Sequence, residues 1–210
     1  MLSALVRVAC LAATASALAA VTPAARLGVS NGVTAFRRGD VAESVAQFDA
    51  ALAESPVLGQ YLWQRGISLY YAERYADGAA QFAADVALNP NDTEESIWHM
   101  LCKSRQQGVG FDAARTGKLK VGSDPRPIMR AADEMFAGAG SADVLATKGA
   151  KRPGSSDEFY ADLYLGLYAE AQSHPDLARM YITRAVDHPY ARGSDYMVDV
   201  ARVHKKVRGW

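Results

Sequence analysis

The chain has 210 residues, and its 23 basic and 23 acidic side chains give a formal net charge of zero. That balance leaves no electrostatic footprint for nucleic acid and no acidic tail. Half of the residues are hydrophobic, many of them alanine, the strongest helix former, so the composition favours one all-helical domain with a real core.

Residues 1–22 read as a targeting leader. In "MLSALVRVACLAATASALAAVTPAARLG" an early charge, Arg7, precedes an alanine-rich apolar stretch from Val8 to Val21. Ala17-Leu18-Ala19 fits a small-residue cleavage signal, which points to export or a secretory, lumenal destination. No acidic residue occurs before Asp40, a bias that also suits plastid or mitochondrial transit. The stretch is short and weakly apolar beside the roughly 20 residues of a spanning helix, and a retained anchor is the remaining alternative. Cys10 is a poor lipidation site, because Arg7 stands where an aliphatic residue is needed. Cys102 is then the one thiol of the processed chain, which excludes an internal disulfide framework and any multi-cysteine metal site.

Residues 23–210 read as a single domain that begins with a repeat. A shift of 34 residues places Gly32 on Gly66, Phe48 on Phe82 and Pro56 on Pro90. In each copy the glycine lets two helices approach closely. The aromatic ring 16 residues later fills the space between them, and the proline ends the second helix. Units 25–58 and 59–92 follow, with helices at 25–37, 41–54, 59–72 and 75–88. Along the last of these, Tyr75, Ala79, Phe82 and Val86 mark one buried face. Asp92 is the expected N-cap of the next helix, with Glu95 as its capping-box partner. Ile97, Trp98, Leu101 and Cys102 form that helix's apolar face, and Gly108 and Gly110 stop it.

The repeat degrades over 93–150. "FDAARTGKLKVGSDPRP" lacks an apolar period and reads as irregular or as a distorted second helix. A short helix is expected from Pro127 to Phe136 and another from near Ser141. Lys151 to Ser156 is an exposed loop. A helix pair returns at 156–189, where Gly166 again precedes an apolar residue, Ile182, by 16 positions. There Asp176 occupies the helix-opening place of Asp40. A last helix within 192–208 carries Tyr196, Val200, Val203 and Val207 on one face and is expected to cap the stack.

The glycine, phenylalanine and proline at this spacing resemble the tetratricopeptide repeat. "YLWQRGISLYYAERYADGAAQFAADVALNPND", "SIWHMLC" and the late "DLYLGLYAEAQSHPDLARMYITRAVDHP" resemble one group within it, the NlpI-like envelope lipoproteins and their relatives in photosynthetic eukaryotes. That resemblance implies an all-α solenoid of antiparallel helix pairs with an irregular middle and a C-terminal capping helix. It implies an adaptor that docks proteases and cell-wall hydrolases without catalysis of its own, that forms homodimers, and that can associate peripherally with a membrane. The chain departs from that group in lacking the lipid-anchoring cysteine motif, and nothing in it points to cell-wall partners.

Chemistry-bearing patterns are sparse. His99, His174, His188 and His204 show no paired metal-ligand spacing, so no metal and no cofactor are expected. His174 and His188 each precede a proline at a helix end and suit a C-terminal capping role. Neither "GSS" nor "RGSD" is a nucleophile elbow. Cys102 reads as a buried structural thiol. Asn91-Asp92-Thr93 matches the N-glycosylation pattern and equally suits a turn with a helix cap.

What remains is the aromatic crowding of Tyr61, Trp63, Tyr70, Tyr71 and Tyr75. Gly66 and Tyr70 belong to the repeat's packing positions. Gln60, Trp63, Gln64, Ile67 and Tyr71 are expected to face a concave groove, joined by Trp98 and Arg105 from the third unit and by Arg26, Val29, Val33 and Arg37 from the first. Trp, Tyr and Arg are enriched at binding hot spots; the same rings could equally pack against the third unit or a dimer partner. The expected function is therefore a non-catalytic adaptor or scaffold that binds a protein or peptide. The alternative is a structural or assembly subunit of an organelle membrane complex.

Overall fold

The computed structural model describes residues 21–210. The leader up to residue 20, with Cys10, lies outside the described residues. Among them are eleven α-helices and no strand. Pro23–Arg37 (α1) and Val41–Glu54 (α2) form the first packed pair, and Trp63–Tyr71 (α3) and Tyr75–Leu88 (α4) the second. Thr93–Ser104 (α5) packs on α4 and on the short Gly110–Thr116 (α6). Pro127–Ala137 (α7) and Ala142–Ala150 (α8) lead to the long pair Ser156–Ala171 (α9) and Pro175–Asp187 (α10), and Tyr196–Val207 (α11) ends the chain. The fold is all-α, with neighbouring helices packed in pairs as a helical repeat would have them.

The caps follow local chemistry. Thr22 accepts from the Ala25 N–H at 3.1 Å ahead of Pro23, and Asp40 accepts from the Glu43 N–H at 3.2 Å. The repeat's glycines are defined by contact. A Cβ on Gly32 would lie 3.0 Å from the Phe48 ring, one on Gly66 would lie 2.7 Å from Phe82, and one on Gly166 would lie 2.7 Å from Ile182. Phe48, Phe82 and Ile182 are all fully buried. The 16-residue spacing thus builds the same knob and slot three times.

Two expectations about element boundaries change. The third helix begins at Trp63 rather than at 59, because Pro56–Gln60 forms a 3-10 turn. That turn is held by the Gln81 side chain, whose Nε2 donates to the Gly59 carbonyl at 2.7 Å. The start of the segment from Phe111 coils as α6; only residues 117–126 are non-helical. This stretch is fixed by polar contacts, which is why it shows no apolar period. Ser96 donates to the Leu119 carbonyl at 2.6 Å, and Asp124 accepts from the Thr93 hydroxyl at 3.1 Å and the Arg126 N–H at 2.8 Å. Asp176 sits in the first turn of α10 rather than opening it, since His174 holds the N-cap position ahead of Pro175.

The last helix does more than cover an open end. It packs on α10 and also returns to α1 and α3. Arg37 reaches Asp199 at 2.7 Å, and Lys206 donates to the Arg38 carbonyl at 2.6 Å. Its inward face meets a buried polar cluster around Glu170 of α9. That carboxylate accepts from Arg208 and pairs with Arg105 at 3.2 Å, while the Tyr70 hydroxyl donates to it at 3.4 Å. His204 is fully buried beside it, with Nε2 3.7 Å from Glu170 and Nδ1 3.0 Å from the Tyr71 hydroxyl. A carboxylate facing Nε2 favours the proton there, so Nδ1 accepts from Tyr71. Burial raises the Tyr71 hydroxyl's pKa and keeps its proton in place.

Two outcomes follow. Gly66→Ala drives a Cβ into the Phe82 ring and is expected to cost about 1–3 kcal/mol in urea denaturation, whereas Gly117→Ala, with nothing nearer than 3.8 Å, costs much less. Burial lowers the His204 pKa from 6.5 to about 4. The unfolded chain therefore binds the extra proton first, and the stability His204 contributes is complete above about pH 6.5 and lost as the pH falls toward 4. Denaturation midpoints over that range should show this loss in the natural chain and not in His204→Gln.

Candidate functional site

A cavity of about 330 Å³ opens where α3, α4 and α5 meet the starts of α9 and α11. Trp63 and Ile67 come from α3, Phe82 from α4, and Trp98 from α5, all placed by the knob-and-slot packing of the second unit. Tyr160 from α9 and Tyr196 and Met197 from α11 close the opposite side. Trp63 meets Tyr196 edge-on at 5.1 Å between ring centroids. Phe82 stacks on Trp98 at 6.3 Å, and Tyr70 backs Trp98 edge-on at 5.3 Å.

Of the expected groove residues, Trp63, Ile67 and Trp98 share this cavity, and the others do not. Gln60 is exposed on the 3-10 turn. Gln64 is half-buried and off the cavity, its carbonyl accepting from Ser68 at 3.0 Å. Tyr71 is a core residue, because α11 lays His204 over it with ring centroids 5.7 Å apart. Arg105 pairs with Glu170 on another side of the molecule. In the first unit Arg37 is taken up by Asp199, and Val29 and Val33 pack on the small cluster around Phe48. The open groove is thus narrowed to a cavity by the chain's own α9 and α11.

Four carboxylates reach the cavity wall, and the sequence reading placed none of them there. Asp92 caps α5 by accepting from the Glu94 N–H at 2.9 Å. Glu94 accepts from the Tyr164 hydroxyl at 2.8 Å and pairs with Arg126. Asp195 caps α11 through the Met197 N–H and accepts from the hydroxyls of Tyr160 at 2.9 Å and Tyr190 at 2.8 Å. Glu95 does not complete the expected capping box: its Oε2 is buried without a hydrogen-bond partner among the described residues. The Asp92 side chain bonds the N–H of Glu94 rather than that of Glu95, and the Asp92 N–H that the Glu95 side chain would accept from donates instead to the Asn89 carbonyl at 3.2 Å. Burial first, then the charges of Asp85, Asp92 and Glu94, push the Glu95 carboxyl up to about 8. No Lys, Arg or His lines the cavity.

The signal for Asp92 was visible as a cap. Those for Tyr160, Asp195 and Tyr196 were not, since they lie far along the chain from Trp63 and reach it only through the fold.

Cys102 and His188 are structurally occupied. Cys102 is fully buried, and burial pushes its thiol up, which disfavours the thiolate. A Cβ on Gly78 would lie 2.9 Å from its sulfur, so the thiol packs directly on the preceding helix, α4. His188 accepts from the Tyr190 N–H at 3.1 Å and sits 3.0 Å from Glu158. Among the described residues no group of three or more His, Cys, Asp or Glu is arranged to hold a metal ion, and no helix is long and apolar enough to cross a membrane. Asn91 is exposed, while the Thr93 hydroxyl is buried and committed to Asp124.

Fold and site together define an all-helical, repeat-like protein with one aromatic, carboxylate-lined cavity on the inner face of its second and third units. The chain matches no protein-family model and no curated protein.

The unpartnered Glu95 carboxyl has a measurable consequence. Its pKa rises from 4.5 to about 8 on folding, so the stability that depends on its proton is complete below pH 4.5 and lost as the pH rises through 8. Glu95→Gln, which keeps the shape and removes the charge, is expected to raise the melting temperature over the natural chain at pH 8, with the difference shrinking toward pH 4.

Proposed function

We propose that this chain is a non-catalytic adaptor of the tetratricopeptide type, exported or lumenal, that binds a protein or peptide partner at its concave face. The observation that carries the reading is the cavity itself. Two tryptophans and two tyrosines from four different helices converge on one opening, with Trp63 half-buried at its edge. Rigid aromatic side chains around a desolvated pocket are the usual anchors of a protein interface. The threefold glycine-and-knob packing at the spacing of the repeat supports the assignment of type. The buried state of Cys102, and of the histidines at 188 and 204, supports a binding rather than a catalytic role.

The test is affinity capture by the full chain from its own source, with mass spectrometry of what co-purifies, beside Trp63→Ala. Removing a hot-spot aromatic costs about 2 kcal/mol or more of binding, close to thirtyfold in affinity. The variant should lose the captured partner while its circular dichroism stays helical. An unchanged set of partners defeats the reading.

A further inference from the structure

We propose that the cavity recognises a basic side chain, arginine or lysine, of a partner polypeptide, with the Glu95 carboxylate as its counter-ion. The proposal rests on the adaptor reading and names the chemistry of its partner.

The charge arrangement is one-sided. Asp92, Glu94, Glu95 and Asp195 all reach the wall, and no cationic side chain does. Three of the four are already served. Arg126 lies off the cavity and holds Asp92 at 3.4 Å, Asp124 at 2.7 Å and Glu94. Asp195 is held by two tyrosine hydroxyls and a backbone N–H. Glu95 alone has no cation and no donor, and the charged groups nearest it are the carboxylates of Asp85 on α4 and of Asp92 and Glu94 at the start of its own helix. Glu95 is half-buried with its Oε2 out of contact with solvent, and a carboxylate so placed without a partner is an unfavourable arrangement that an incoming cation relieves.

The rest of the wall suits the same ligand. The faces and edges of Trp63, Trp98, Tyr160 and Tyr196 offer ring quadrupoles that attract ammonium and guanidinium groups, and Ile67, Phe82 and Met197 accept an aliphatic stem. At about 330 Å³ the space is at the small end of ligand sites, which run to about 1,000 Å³, and fits one side chain rather than a folded element.

A second, independent group points to a polypeptide as the source. Trp98 lines the cavity, is 1 % exposed, and its Nε1 is buried with no hydrogen-bond partner among the described residues. An indole N–H only donates, so it needs an acceptor. A peptide carbonyl beside a basic side chain supplies one, and a free alkyl cation does not.

Binding is read by the fluorescence of Trp63 and Trp98 in the full chain at pH 8, titrated with blocked tripeptides Ala-Arg-Ala, Ala-Lys-Ala, Ala-Ala-Ala and Ala-Glu-Ala, and with butylguanidinium. The arginine or lysine peptide should bind at least about tenfold more tightly than the neutral and acidic ones, and Glu95→Gln should erase that preference while remaining folded. The affinity of the basic peptide should fall on acidification from pH 8 to 6 as Glu95 takes up its proton, with Asp85, Asp92, Glu94 and Asp195 the other carboxylates around it. Equal binding of all four peptides, or a preference unchanged in Glu95→Gln, overturns the proposal. Butylguanidinium binding as tightly as the arginine peptide overturns the polypeptide source. In the capture experiment, loss of the partner in Trp63→Ala but not in Glu95→Gln leaves the adaptor reading standing and removes the basic anchor alone. Retention in both variants removes the adaptor reading itself.

Discussion

The buried carboxylate of Glu170 is the point on which the architecture turns. It sits near the end of α9 and gathers Arg105 from the end of α5, Arg208 and His204 from α11, and the Tyr70 hydroxyl from α3. A buried charge is tolerable only with such partners, and removal of the carboxylate would strip both arginines of it. Burial alone would raise the Glu170 carboxyl, yet the cations around it hold it below the usual carboxylate range. Four helices from distant parts of the chain are thereby fixed against one another, and α11 has only one place to lie. Because it lies there, it reaches back to α1 and α3, and the face that an open stack would leave free becomes a walled cavity.

How much of this was legible in the sequence varies by the range of the interaction. The helices at 41–54 and 75–88 were readable to the residue, because short-range periodicity decides them, with the Asp40 cap added in the first. The slots under Phe48, Phe82 and Ile182 were readable because each joins residues at one fixed spacing. The 3-10 turn at 56–60 was not, since the Gln81 contact that holds it crosses from the next helix. Nor was the ordering of residues 117–126, which depends on Ser96 and Thr93 in α5.

The site shows the same division. Trp63, Ile67 and Trp98 could be placed on one inner face by helical phase, and they share the cavity. Tyr71 has the same phase as Ile67 and still became core, because phase says which way a residue points and not what will arrive to cover it. Glu95 illustrates the converse. Its position three residues after Asp92 matches a capping box, but the Asp92 N–H it would accept from is taken by the Asn89 carbonyl and the Asp92 side chain bonds the Glu94 N–H. A local rule that is nearly met left a carboxylate oxygen without a hydrogen-bond partner.

The return of α11 to α1 bears on how the molecule assembles. Linear repeat arrays fold by nucleation in any unit and growth to the neighbours, with each interface formed between adjacent segments. Here the contact of Arg37 with Asp199 joins residues 162 positions apart. Such a contact is far less local than the helix pairs, which join segments adjacent in the chain. The first unit, whose small core around Phe48 is separate from the large one, has its second anchor only when the last helix docks. The cavity needs the same contact, because Tyr196 and Met197 of α11 form part of its wall, so it is complete only in a chain whose two ends have met.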